Sequence, residues 1–124
     1  MPEYIPEFTP SINDVDDFTK DYLEAIEWLL DESERPYATG FALQAIEEAK
    51  RDCEDFQNAN REDLDQYQEQ TGYTGGVDLW LTRNGTGAGF WDRDLGDLGK
   101  RLTDAARLGE CDSYVGDDGL IYLM

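Results

Sequence analysis

A chain of 124 residues suits one domain, and 40% apolar with 12% aromatic residues is enough to build a core. Twenty-nine Asp and Glu against 10 Lys and Arg give a net charge of −19, which repels nucleotides and nucleic acid. The chain has no His, which removes the commonest general base and metal ligand at neutral pH. Three Trp, seven Tyr and five Phe argue against charge-driven disorder.

The start, MPEYIPEFTP, has neither the basic nor the apolar region of a secretion signal, and no apolar run reaches the ~18 residues of a membrane span. A cytoplasmic protein is expected, with no membrane partner. In "NDVDDFTKDYLEAIEWLLDESERP", Val15, Phe18, Tyr22, Ile26 and Leu29 recur at steps of three and four, one buried helix face. Asn13 is its N-cap candidate, and Pro36 lies beyond its end. A second helix is predicted from about Thr39 to Phe56, with Ala42, Ile46, Ala49, Cys53 and Phe56 inward, and a short third from Glu62 to Tyr67. Asn58 to Gly76 otherwise reads as the connection to the second half.

From Gly76 the apolar period becomes two. "VDLWLTR" and "GAGFWDR" flank "NGT", and Asn-Gly between such runs predicts a hairpin pairing Arg83 with Thr86, Leu81 with Ala88 and Leu79 with Phe90. Gly87 and Gly89 would then lie opposite Thr82 and Trp80, with Trp91 on the same aromatic face as Trp80. These glycines lack the third Gly of a dinucleotide fingerprint and no G-K-[ST] follows, so they are not read as a phosphate loop. "LGDLGKRLTDAARLG" has Leu95, Leu98, Leu102 and Ala105 at helical spacing with Gly109 as C-cap, and "CDSYVGDDGLIYLM" predicts a hairpin turning at Gly116 to Gly119. The predicted class is α+β in a single domain, 1–124. Acidic helices over 11–70 precede a ββαββ unit over 71–124 with a mostly antiparallel sheet.

Chemistry-bearing patterns are sparse. Cys53 and Cys111 belong to no C-x-x-C and are expected to be reduced, buried thiols. Asp92 and Asp94 match the first two ligands of a calcium loop, but Gly96 takes the third place. No metal, no cofactor and no catalytic residues are expected.

The charge is lopsided. Residues 1 to 70 hold 20 acids and 5 bases, a net of −15, and residues 71 to 124 hold 9 and 5, a net of −4. Asp17, Asp21, Glu24, Glu27 and Asp31 fall away from or beside the apolar face of helix one, and Glu47, Glu48, Asp52 and Asp55 repeat the pattern on helix two. Like charges at i and i+4 cost a helix a few tenths of a kcal/mol each, so folding alone would favour alternating signs. Duplex DNA carries one charge per ~1.7 Å, so nineteen charges correspond to roughly 32 Å of duplex, nearly one turn.

"DLWLTRNGTGAGFWDRDLGDLGKRLTDAA" followed by "YVGDDGLIY" resembles a family of small, largely uncharacterised proteins carried by bacteriophages, prophages and plasmids. The resemblance covers roughly residues 40 to 124 and is best over 77 to 122. It departs at Val77 and Thr86, where the family pattern often has His. It implies a setting rather than an activity. Acidic inhibitors of host defence that imitate DNA, the anti-CRISPR and anti-restriction proteins, are similar in charge and size, an analogy of role. The expected function is inhibition of a CRISPR effector or restriction enzyme through its DNA-binding groove, with a basic host defence protein as partner. The alternative is a non-enzymatic interaction module, monomer or homodimer, that uses Trp80 and Trp91 while the acidity serves solubility.

Overall fold

The structure, a computed structural model, describes residues 14–85, 88–107 and 111–124. Its elements are α1 (Asp17–Trp28), β1 (Gly40–Phe41), α2 (Leu43–Ala59), α3 (Arg61–Thr71), α4 (Gly76–Arg83), α5 (Asp97–Ala105), β2 (Ser113–Val115) and β3 (Leu120–Leu123). Two 3-10 turns, Arg35–Tyr37 and Phe90–Asp92, punctuate the loops. The chain is thus mixed α and β.

Helix α1 starts where the Asp16 carboxylate accepts a 3.0 Å bond from Thr19 N. Asp16, not Asn13, is its N-cap, and Asn13 itself lies outside the described residues. Phe18, Tyr22 and Ile26 face inward as the period requires, but the stripe ends on buried Leu30, and Leu29 is exposed. At the far end the Arg35 guanidinium donates to Trp28 O and Leu30 O, both at 3.0 Å, and so places a cation on the helix C-terminus.

All five predicted inward residues of the second helix are buried. Its start differs. Residues 40–41 form β1, Ala42 is the N-cap, and the helix runs on to Ala59. Thr39 N and Ala42 N reach Gly119 O and Ile121 O, a pairing with a strand some eighty positions away that local periodicity does not reveal. The predicted connection from Asn58 to Gly76 is largely helical, because α3 extends to Thr71 before Gly72 closes it in the left-handed conformation.

The main correction concerns "VDLWLTRNGTGAGFWDR". The first half is helix α4 and the second a loop with a 3-10 turn, so the predicted first hairpin is not formed. Gly76, Leu79 and Trp80 bury the side toward α1, a helical period that five alternating residues disguised because Asp78 is buried too. Asn84-Gly85 stops a helix rather than turning a hairpin: Asn84 N bonds Trp80 O at 2.9 Å and Gly85 takes φ 64°. Thr86 and Gly87, half of the proposed register, lie outside the described residues.

The second hairpin is formed, with Tyr114 opposite Tyr122 and Gly116 N bonded to Leu120 O at 2.8 Å. The sheet has three strands in the order β1-β3-β2, with β1·β3 parallel and β2·β3 antiparallel. It replaces the four-stranded, mostly antiparallel sheet expected. Helix α2 covers it, and the Gln44 amide clamps β3 by donating to Leu123 O (2.6 Å) and accepting from Leu123 N (3.0 Å). In α5, Leu98 and Leu102 are buried as expected and Ala106 completes the stripe, with Leu95 and Ala105 packed at its edge. Gly109 lies outside the described residues.

The core is aromatic at its centre. Phe18 stacks on Phe56, Phe56 on Phe90, and Tyr67 meets Phe90 edge-on. Helix α1 packs most closely on α4, where a Cβ on Gly76 would stand 2.1 Å from Phe18 O.

Candidate functional site

The acids singled out in the sequence do not behave alike. Asp17, Glu24, Glu27, Asp31, Glu47 and Asp55 are exposed, the arrangement expected of a charged outer face. Three others have local work. Asp52 pairs with Arg83 at 2.8 Å, Glu48 with Arg51 at 3.2 Å, and Asp21 accepts from the Thr74 hydroxyl at 2.6 Å.

Two adjoining hollows show which helices share a surface. One, about 510 Å³, has Asp14, Asp16, Glu47 and Glu54 around it with Lys50 and Arg51. The other, about 270 Å³, is lined by Asp16, Asp17 and Asp65 together with Gln57 and Arg61. Asp16 belongs to both, so the start of α1, one side of α2 and one side of α3 present carboxylates on one continuous surface. Burial pulls the Asp16 pKa up, but bonds from Thr19 and Gln57 outweigh it and hold the carboxyl below its ordinary range, charged at neutral pH. Glu24 and Glu27 lie elsewhere, around a third hollow with Trp28, Arg35 and Val77. The acidic row of α1 is therefore divided between two faces.

The aromatic surface built on Trp80 and Trp91 is not present. Trp80 is 1% exposed in the core, edge-on to Tyr22, whereas Trp91 is 52% exposed on the 3-10 turn. The indole N–H of Trp80 has no partner among the described residues. Gly89 does not underlie the indole either. A Cβ there would sit 2.1 Å from Thr82 Oγ1, which accepts from Phe90 N at 3.2 Å.

Sequence reasoning passed over two charged pairs that involve α4. Asp78, 1% exposed, takes a bidentate grip from Arg93 at 2.9 and 3.0 Å and a short hydrogen bond from the Tyr67 hydroxyl. Arg93 also lies over the Tyr73 ring, 5.0 Å from its centroid. On the far side of α4, Arg83 donates to Asp52 and to the Tyr22 hydroxyl, the latter at 3.1 Å. Burial pushes the Tyr22, Tyr67, Cys53 and Cys111 pKa values up, so both thiols stay protonated and unreactive at neutral pH. A lone acid inside the apolar run "VDLWL", with Arg in "FWDRD" to meet it, was the available signal. A buried carboxylate must find such a partner.

No cluster of His, Cys, Asp and Glu suited to a metal ion occurs among the described residues, and no helix there is long and apolar enough to cross a membrane. No family model, curated protein or solved structure matches the chain.

Proposed function

We propose that the protein is a phage-type inhibitor of a host nucleic-acid-targeting defence system, a CRISPR effector or a restriction enzyme, and that it acts as an acidic mimic of DNA. The supporting observation is the shared surface of α1, α2 and α3, where Asp14, Asp16, Asp17, Glu47, Glu54 and Asp65 gather around two adjoining hollows. Fixed on packed helices, such carboxylates stand in for backbone phosphates toward a basic groove. A charge of −19 speeds the encounter with that groove by electrostatic steering. Lys50, Arg51 and Arg61 interrupt the surface, and Arg51 is tied to Glu48.

The test is combined reversal of Asp17, Glu47, Glu54 and Asp65 to Lys, assayed against a purified restriction endonuclease or CRISPR effector that the wild-type chain inhibits. Loss of inhibition with an unchanged circular dichroism spectrum is expected, and retained inhibition overturns the proposal. A partner captured from bacterial lysate should be released by ~0.5 M salt and by competing duplex DNA, because exposed charge pairs are screened within ~10 Å at 0.1 M.

A second reading, a non-enzymatic interaction module, rests on exposed aromatic side chains, of which only Trp91 belongs to the pair expected. Trp28 is 76%, Tyr37 71% and Trp91 52% exposed. It predicts a partner that salt does not release.

A further inference from the structure

Trp28 ends helix α1 with 76% of its surface in water. It borders a hollow of about 800 Å³, larger than the other two described, lined also by Glu24, Ala25, Glu27, Arg35 and Val77. Ala25 is buried and Val77 packs on the core, so the hollow has an apolar floor. Its rim is acidic. Glu24 and Glu27 precede the indole by four residues and by one, and exposed Asp31 and Glu32 follow on the chain. Among the described residues the one cation lining it, Arg35, has its guanidinium at Trp28 O and Leu30 O, where it serves the end of the helix.

We propose that this hollow docks an arginine-bearing, partly apolar segment of a partner protein, with Trp28 as the anchor and Glu24 and Glu27 as the charge partners. An exposed indole offers a large flat face on which a guanidinium stacks, and Trp is the residue type that most often dominates an interface. The two carboxylates beside it select a cation. Charge decides the occupant: a second copy of this chain would bring another −19 into contact, whereas a basic segment gains both attraction and stacking. Arginine is preferred over lysine, because a planar guanidinium both stacks and binds carboxylates in a fork. The inference deepens the mimicry reading and rests on it only for the partner's being basic.

The experiment titrates the full chain, carrying ¹⁵N-labelled tryptophan, with end-blocked Arg-Leu-Arg and follows its three indole resonances. The Trp28 signal is expected to move most and that of buried Trp80 least. Trp28→Ala, whose side chain is largely in water, should keep the fold by circular dichroism and bind the peptide at least fivefold more weakly. The Glu24→Gln/Glu27→Gln double variant should do the same, and Lys-Leu-Lys should bind wild type at least threefold more weakly than Arg-Leu-Arg. Unchanged affinity in Trp28→Ala, or the largest movement at Trp91, overturns the docking site. That failure leaves the mimicry reading standing on its own charge-reversal test. Conversely, inhibition that survives charge reversal removes mimicry without touching the peptide result.

Discussion

Asp78 gives the sharpest expectation for a single residue. Removing one member of a buried ion pair leaves the other without its partner, and Asp78→Ala would strip both Arg93 and the Tyr67 hydroxyl. The loss should be about 3 kcal/mol, the lower end of the usual range because Arg93 keeps 35% of its side chain in water. Urea unfolding measures it, and the exposed Arg101–Asp63 pair supplies the contrast, since Arg101→Ala should barely move the midpoint. Titration gives a second expectation. In the unfolded chain the thiols release protons near 9.0 and the phenols near 10.0, whereas burial in the fold holds Cys53, Cys111, Tyr22 and Tyr67 protonated to higher pH. The folded chain therefore binds more protons above pH ~9, and stability present below that value is lost as pH rises. A urea midpoint lower at pH 10.5 than at pH 7.5 is the outcome to look for.

Among the elements, α1 and α4 depend on one close approach. A Cβ on Gly76 would meet Phe18 O at 2.1 Å and Tyr22 N at 2.8 Å, backbone atoms that cannot turn aside. Gly76→Ala should cost at least the ~1–3 kcal/mol of an overpacked core, read as a lowered melting temperature. Gly85→Ala meets no atom of the described residues within 4 Å and should cost only the ~1–2 kcal/mol of a left-handed residue. These two glycines also show what was legible in the sequence. The long amphipathic helices announced themselves because Phe18, Tyr22, Ile26 and then Ile46, Ala49, Cys53, Phe56 repeat over several turns. Helix α4 spans only eight residues, and within it Asp78 and Gly76 occupy buried places that a hydrophobic pattern leaves blank. Asn84-Gly85 supplies a positive φ in a helix stop as readily as in a hairpin. Strand β1 was hidden for another reason: two residues carry no period, and their partner lies in the last hairpin. Of the candidate surface, the acids were visible as composition, but which of them share a face depends on how α1, α2 and α3 are packed.

At the scale of the whole molecule the dominant quantity is charge. Nineteen net negative charges on a chain of 124 residues repel one another, and dissolved salt should relieve that strain. Melting temperature should therefore climb as sodium chloride rises from 10 mM to 0.5 M, and a flat response would mean the acids are already neutralised by their neighbours. The sheet order adds a constraint in time. β3 sits between β1 and β2, and Gly40 pairs with Leu120. On the ribosome, at ~5–20 residues per second, β1 and the helix that covers the sheet wait roughly 4–16 s for the central strand to be made. During that interval α2 carries an apolar stripe with no sheet to cover. Mutual repulsion among nascent chains, each with a net charge of −15 over residues 1–70, opposes contact between those stripes, so the acidity acts on the unfinished chain as well as on the folded one.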